Sequence, residues 1–528
     1  MLIGDLNNQL DIHSCPLKES DTIFLGIDSG QSNIKVTAFD NQGNEIISAN
    51  EAVNILTPYT GFYEIDLQEL WMKTRKLLRK ITGKINPKFI KCIGLSGHAG
   101  GLYALDRDLK PLKFGILPTD QRANIILERL KQIGICKELF EKTGMPLMPG
   151  FAIFILKWLK EFKREVYERL SYVFARKDFI RYKLTGDIST EISDACFGFL
   201  NVYTQNYDED IFELVGIRDA FHLLPELRDT SYEIAGYVTK EAAEETGLRE
   251  GTPVIVGAHD ACCNLIGSGA IRGDAMCSAG GTWSINLLVI DRPFLNPMWS
   301  CESFVRKKTW MLEQYSPTAA ISLNWFIENF FREEKQKAQI ERKNVYELID
   351  EEIANINAKL LFLPFLLGLP PGYPYQSNAS AAFLGIRFED QKLTFLRALY
   401  EGIAFIKAVH LEQYEKYFKI KEIRFTGGMA KSRVFPQLLA DVTGKKVIIV
   451  DKEETGCFGA AFLAAMGIKE VKDLEEVFKY LRTKKTYFPK KSYARKYALF
   501  KTCCQRLSEI WNEFEKLRFQ EDDEDLVK

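Results

Sequence analysis

Apolar blocks along this chain break at glycine. Ile23-Phe-Leu-Gly-Ile-Asp28 stops at Gly30 among hydroxyl and amide side chains, and apolar residues resume from Ile34 to Phe39. About 250 residues later the pattern returns: Ala275-Met-Cys-Ser-Ala, the turn Gly280-Gly281-Thr282, then Ile285-Asn-Leu-Leu-Val-Ile290. Each block predicts a β-hairpin whose tight turn exposes backbone N–H groups. With no Cβ at glycine, such groups can close on a phosphate. A third segment, Ile423-Arg-Phe-Thr-Gly-Gly-Met429, predicts a short strand ending in Gly427-Gly428. An amphipathic stretch through Val434, Leu438, Leu439 and Val442 follows it to a stop at Gly444. A strand, a glycine pair and a helix start suit the polar part of a nucleotide. Each hairpin alone also fits a simple turn; the three together point to two related lobes gripping one polyphosphate.

Elsewhere, Leu67, Leu70, Trp71, Leu77 and Leu78 predict a helix from Asp66 to Ile81. Phe89 to Leu95 predicts a buried strand running into the turn Ser96-Gly-His-Ala-Gly-Gly101. Helices are expected near 123–133, 153–170 and 176–184, and a strand over Thr252–Gly257. The second half predicts a strand at Trp310–Glu313 and helices at Ser322–Phe331 and Leu393–Tyr417. Arg332–Lys343 reads as solvated surface, the loop Leu369-Pro-Pro-Gly-Tyr-Pro-Tyr375 as a lid or lobe contact, and Gln520–Asp525 as frayed acidic surface. Alternating strands and helices give an α/β class. The expected domains are a polar extension over 1–20, a first lobe over 21–267, a second over 268–485 and a C-terminal helix with an acidic tail over 486–528.

Composition narrows the class. A chain of 528 residues with 27% charged and 46% hydrophobic residues is ordinary for a globular protein. A net charge of −1 gives no basic field for nucleic acid or an anionic membrane. No apolar run approaches the ~20 residues of a membrane span, and the acidic start does not read as a secretory signal. A cytoplasmic enzyme is expected. The 11 cysteines are scattered without Cys-x-x-Cys spacing, which predicts reduced thiols.

Neither a P-loop nor the glycine-rich loop of protein kinases is present. Phosphoryl transfer needs a proton acceptor and neutralised phosphate charge. Asp28, at the first hairpin, could hold Mg²⁺ through water. Asp260, after the strand ending at Gly257, could accept a hydroxyl proton or cap a helix beginning at Ala261. Asp120, in Leu117-Pro-Thr-Asp-Gln-Arg122, could bind sugar hydroxyls beside Arg122. His98 fits either the edge of a sugar or a structural turn. His259 is assigned no chemistry, because neighbouring strand residues point to opposite faces.

In collinear order from about Asp21 to about Gly467, the chain resembles the FGGY carbohydrate kinases, the family of glycerol kinase, xylulokinase and ribulokinase. Asp28-Ser-Gly-Gln-Ser-Asn-Ile-Lys35 is similar to the family's first phosphate motif, and Ser278-Ala-Gly-Gly-Thr282 to its second. Gly427-Gly428-Met429 with Ser432 falls on the adenosine motif. Gly257-Ala-His-Asp260 matches the strand end that carries the catalytic base, and Glu454-Thr-Gly-Cys-Phe-Gly-Ala-Ala461 a late helix start. The resemblance implies a two-lobed actin-like ATPase, or ribonuclease H-like, fold with a central cleft. It implies ATP and Mg²⁺ as cofactors, Asp260 as base, and nucleotide contacts at Asp28, Gly30, Gln31, Ser32, Lys35, Gly280, Gly281, Thr282, Gly427, Gly428, Met429 and Ser432. The sugar would meet His98, Ala99, Asp120, Arg122 and Asp260, with Mg²⁺ at Asp28. The partners implied are a small-molecule sugar and ATP, with a homodimer left open. A ketose, first a pentulose such as L-xylulose, is the expected acceptor; other ketoses, polyols and an actin- or Hsp70-like ATPase switch are the alternatives. Two departures stand out. Ser96-Gly-His-Ala-Gly100 replaces a glutamine-rich turn, and Leu156-Lys-Trp-Leu-Lys-Glu161 fits the first family signature only loosely.

Overall fold

The structure is a computed structural model that describes residues 22–369 and 378–525, with side chains to residue 517. The extension read over 1–20 and all of the 369–375 loop but Leu369 lie outside the described residues.

Two sheets repeat one plan. In the first, Glu45–Ala52, Asn33–Asp40 and Ile23–Ser29 form an antiparallel meander. Ile90–Gly97 and Pro253–Ile255 then add in parallel, and Ile234–Tyr237 closes the edge antiparallel. In the second, Trp310–Ser316, Ser284–Ile290 and Ala275–Gly280 form the meander. Glu422–Thr426 and Lys446–Val450 add in parallel and Thr483–Tyr487 closes antiparallel, with Ser300–Ser303 as an extra strand on the meander side. The shared order places both glycine hairpins at equivalent positions of equivalent sheets. This is the α/β, two-lobed actin-like architecture expected from the sequence.

The lobes are joined by a helix that crosses between halves of the chain. Thr455–Gly467 is buried almost throughout and lies on the first sheet, although it follows the second sheet's parallel strands. Its seat is two paired glycines. A Cβ at Gly26 would stand 2.0 Å from the carbonyl oxygen of Cys457, and one at Gly94 1.9 Å from that of Ala460. No side chain fits in either gap, so backbone packs directly on backbone. Helix Asp260–Ser268 completes this junction, where Phe24, Cys92, Leu265, Cys277, Met311 and Phe462 belong to one buried apolar cluster.

Most expected elements form within a few residues of their predicted ends. The helix over Asp66–Ile81 is Leu67–Thr82, capped by the Asp66 carboxylate, and that over Leu393–Tyr417 is Lys392–Glu415. The single helix over 153–170 is corrected. It breaks at Lys163 into Ala152–Phe162 and Arg164–Arg169, and Leu170–Phe174 becomes a strand paired with Tyr103–Asp106. The tail read as frayed is also corrected, since helix Ser508–Asp525 runs through it. Arg332–Glu341 is helical but mostly exposed, as solvated surface requires. The ten described cysteines are free. Among the described residues no helix is long and apolar enough to cross a membrane.

Candidate active site

Asp260 is the first residue of helix Asp260–Ser268, at the junction of the two lobes. The cap it was expected to share is taken by His259, whose Nδ1 accepts the Ala261 N–H at 3.2 Å. The Asp260 side chain remains 36% exposed. Desolvation pushes its carboxyl well above the usual carboxylate range, and the charges of Asp28 and Glu313 add to the shift. Asp28 belongs to the first sheet and Glu313 to the second, so the Asp260 carboxyl sits in the fields of both lobes. A carboxylate whose pKa is raised and which is partly open to solvent is a stronger proton acceptor than an ordinary one.

The first hairpin is held from several sides. Asp28 accepts the Ser96 hydroxyl at 2.8 Å, and burial raises its pKa. A Cβ at Gly456 would come within 2.6 Å of Asp28 Oδ2, so glycine there keeps room beside the carboxylate. Lys35 pairs with Glu454 at 2.5 Å; burial opposes its charge, but Glu454 overrides this and holds the ammonium above its ordinary value. Gln31 donates to the Thr119 hydroxyl at 2.6 Å, while Gly30 and Ser32 lie at the partly open turn. Beneath them the fully buried Arg176 donates through Nε to Ser29 Oγ at 2.7 Å and through Nη1 to the Gln31 carbonyl at 3.3 Å.

The second hairpin leaves Thr282 exposed, and the Gly281 and Thr282 carbonyls receive the N–H groups of Ala320 and Ile321 at 3.1 and 3.2 Å. These bonds tie the hairpin to the first turn of helix Ala320–Phe330. The third glycine segment packs against the same turn. Gly427 has φ +83°, and a Cβ there would meet the Gly280 carbonyl oxygen at 2.9 Å, while one at Gly280 would meet Met429 at 2.8 Å. Gly428 starts the short 3₁₀ turn Gly428–Lys431. The Ser432 hydroxyl accepts the Val434 and Phe435 N–H groups just ahead of and at the start of helix Phe435–Thr443. Gly427 and Ser432 also line a cavity of about 490 Å³ with Thr426, Arg433, Val450 and Lys452. It opens where the parallel strands end, the usual crevice for ligands in α/β sheets.

The residues read as sugar contacts are placed differently from one another. His98 follows the strand carrying Ser96; its Nε2 lies 3.0 Å from the Tyr103 hydroxyl, and its Nδ1 3.3 Å from the carbonyl of the half-buried Ala99. Burial, with the Arg176 charge, lowers its pKa to about 3, so the ring is neutral. Asp120 is fully buried, and its two oxygens accept four donors: the Tyr63 and Arg122 N–H groups, Arg122 Nε and Arg122 Nη2. Arg122 also donates to Glu64 at 2.7 Å and lies against the rings of Phe62 and Trp158, 4.4 and 5.3 Å from their centroids. Among the described residues, then, this pair forms a closed clamp under the loop that holds Thr119.

Several groups escaped the sequence reading. Behind Asp260, donor atoms of His259, Glu302 and Glu313 lie within 4.8 Å of one another. Because His259 Nδ1 is an acceptor, the neutral ring carries its proton on Nε2, which faces Glu302 Oε2 at 3.7 Å. That tautomer is a donor rather than a metal ligand. Burial pushes Glu302 up to about 7 and raises Glu313 well above its ordinary range, so the pair holds a proton near neutrality. Arg176 and Lys407 were missed as well. A lysine inside the apolar turn Ile403-Ala-Phe-Ile-Lys407-Ala-Val was the available signal.

Residues 23–267 and 275–468 match, in that order, the N-terminal and C-terminal domains of the FGGY family of carbohydrate kinases. The probable L-xylulose kinase of Pasteurella multocida (strain Pm70) is 33% identical over 464 residues, covering 85% of this chain and 92% of that protein. The L-xylulose/3-keto-L-gulonate kinase of Escherichia coli (strain K12) is 31% identical over 468 residues, covering 87% and 91%. A solved gluconate kinase from Lactobacillus acidophilus superposes with a TM-score of 0.81 at 25% identity, covering 94% of this chain and 98% of that one.

Proposed function

The chain belongs to the FGGY family of carbohydrate kinases, and on that premise we propose that it moves the γ-phosphoryl group of ATP to the primary hydroxyl of a ketose, first a pentulose such as L-xylulose. The attacking hydroxyl oxygen forms the new P–O bond, the bond to the β-phosphate oxygen breaks, and Asp260 takes the hydroxyl proton. The N–H groups of the Ser29–Lys35 and Gly280–Thr282 turns hold the phosphates from the two lobes, and the Thr282 hydroxyl steadies the group in transit. Gly427, Gly428, Met429 and Ser432 seat the adenosine.

The Asp28 carboxylate, with the space that Gly456 keeps beside it, fits a hydrated Mg²⁺. When bound, the ion would neutralise phosphate charge. His98 and Ala99 stand at the strand end next to the base and are the proposed sugar edge. Asp120 and Arg122 act there by fixing the loop that carries Thr119.

One observation carries this reading: the partly exposed Asp260 carboxyl, held high in pKa, in the fields of both Asp28 and Glu313. Asp260→Asn is expected to lower kcat by about 10²–10⁴, the range for losing a general base, with nucleotide affinity nearly unchanged. A variant that keeps half of the wild-type kcat would remove Asp260 from the chemistry. The acceptor is tested by ADP release with a panel of pentuloses, hexuloses, heptuloses, aldonates and glycerol. A pentulose is expected to give the highest kcat/KM, and a higher value for an aldonate or polyol would reject the pentulose assignment.

A further inference from the structure

Beneath the second hairpin lies a cation without an anion. Lys407, from the middle of helix Lys392–Glu415, is fully buried. Its Nζ lies 2.9 Å from Ser278 Oγ, 3.0 Å from the Ala279 carbonyl and 3.0 Å from Ser284 Oγ. All three partners belong to the two strand ends that carry the Gly281–Trp283 turn. Several other buried cations have carboxylates: Lys177 pairs with Asp178 and Asp194, Arg181 with Asp178, and Arg397 with Glu401, whereas Arg176 under the first hairpin bonds Ser29 Oγ and the Gln31 carbonyl. Among the described residues no carboxylate lies within ion-pair distance of Lys407.

The groups facing it are uncharged. From strand Ala275–Gly280 comes the Cys277 thiol, which burial raises; from strand Glu422–Thr426 comes the Phe425 ring, 5.5 Å away. On its own helix, His410 bonds with Asn286 and burial lowers it to about 3. Burial lowers Lys407 itself to about 7.

The hydrogen bonds tolerate both protonation states. Ser278 spends its own proton on Asn286 Oδ1 at 2.7 Å, so it must accept from Lys407, as must the Ala279 carbonyl. These two bonds occupy two N–H groups. Ser284 Oγ accepts a third from an ammonium, or donates to the lone pair of a neutral amine. Lys407 can therefore gain or lose a proton without leaving a buried polar group unpaired.

We propose that Lys407 is the second lobe's switchable counter-charge for the nucleotide polyphosphate, taking up a proton as phosphate seats on the Gly280–Thr282 turn. The inference rests on reading that turn as a phosphate site. Lys407 is a positioning residue, since it reaches the phosphates through Ser278, Ala279 and Ser284. An anion above the turn stabilises the ammonium, so nucleotide binding raises the lysine pKa. Affinity should then strengthen as pH falls from about 8 toward 7 and level off once the free enzyme is already protonated.

The test is calorimetric titration of the full-length protein with Mg·ADP at pH 8, in buffers of different ionisation enthalpy. At that pH the bound nucleotide contributes no proton of its own, and Lys407 in the free enzyme is mostly neutral. The wild type is expected to take up more than half a proton per ADP. Lys407→Met and Lys407→Gln, the latter keeping a donor without the charge, should lose that uptake and weaken Mg·ADP binding about tenfold, the equivalent of one pKa unit. Equal uptake in wild type and variants overturns the inference while leaving the nucleotide site in place. A wild type that binds Mg·ADP without proton uptake overturns it even if neither variant folds. A wild type that does not bind Mg·ADP at all overturns the phosphate reading and this inference together.

Discussion

The two glycine hairpins occupy the same position in two sheets of the same order, yet their surroundings differ in kind. Around the first, charges crowd together: Asp28, the Lys35–Glu454 pair, and Arg176 close enough to Asp28 for each to shift the other's pKa. Around the second, Ser278, Ser284, Asn286 and a neutral His410 surround one lysine, and among the described residues no carboxylate lies within ion-pair distance of it. Each turn rests on a buried cation that bonds a serine at the end of the preceding strand and a backbone carbonyl. The repeat supplies geometry, and the side chains divide the electrostatic work. On the proposed reading, the first turn would carry a fixed field and a metal ion, whereas the second would adjust its charge to its load.

That division predicts unequal responses. Asp28→Asn should have the largest effect, lowering kcat by about 10²–10³, as for other losses of transition-state electrostatics. Because burial raises the Asp28 pKa, ionisation opposes folding at neutral pH, so the variant's Tm should hold or rise. Ser278→Ala, the counterpart in the second turn, should cost only about tenfold, mostly in the nucleotide KM. Equal kcat losses in the two variants would erase the contrast.

The pH profile comes next. Asp260 must be ionised to act as a base and its pKa is raised, so kcat/KM should fall with decreasing pH well above the ordinary carboxylate range. A limb at pH 4 or below would contradict that raised pKa. Arg176→Met should weaken nucleotide binding by about tenfold at every pH from 6 to 9, because an arginine keeps its proton. Lys407→Met should do so in a pH-dependent way, and identical profiles would show that the two cations do the same work. Smallest is Thr282→Val, expected to lower kcat by about threefold to tenfold with an unchanged sugar KM. A change confined to the sugar KM would move Thr282 away from the phosphates.

Much of this was legible in the sequence because glycine-broken apolar runs are local signals. Gly30, Gly281 and Gly427 each announced a turn that formed. The sheet order was not legible, since pairing such as Gly26 with Gly94, or Ala275 with Glu422, joins segments far apart in the chain. The expected helix over 153–170 is interrupted at Lys163, whose φ of −140° and ψ of 53° leave the helical region. It gives way to a strand at Leu170, which pairs with Asp106, a tertiary demand that overrides helical spacing. Asp120 and Arg122 stood together on the page, but the Tyr63 and Glu64 that close their clamp come from a distant strand. The cap at Ala261 went to His259 rather than Asp260, because a buried imidazole reaches the same N–H. Arg176 and Lys407 sat inside helices whose spacing looked complete without them.

The helix seated on Gly26 and Gly94 also bears on how the protein is born. It is made roughly 430 residues after Gly26, which at ~5–20 residues per second leaves its groove on the first sheet open for tens of seconds after that strand leaves the ribosome. Until then the nascent first lobe shows the apolar faces of Phe24, Cys92 and Ile255 to whatever it meets. A polypeptide cut short before Thr455 never covers them, so truncation late in synthesis should damage the earliest part of the molecule.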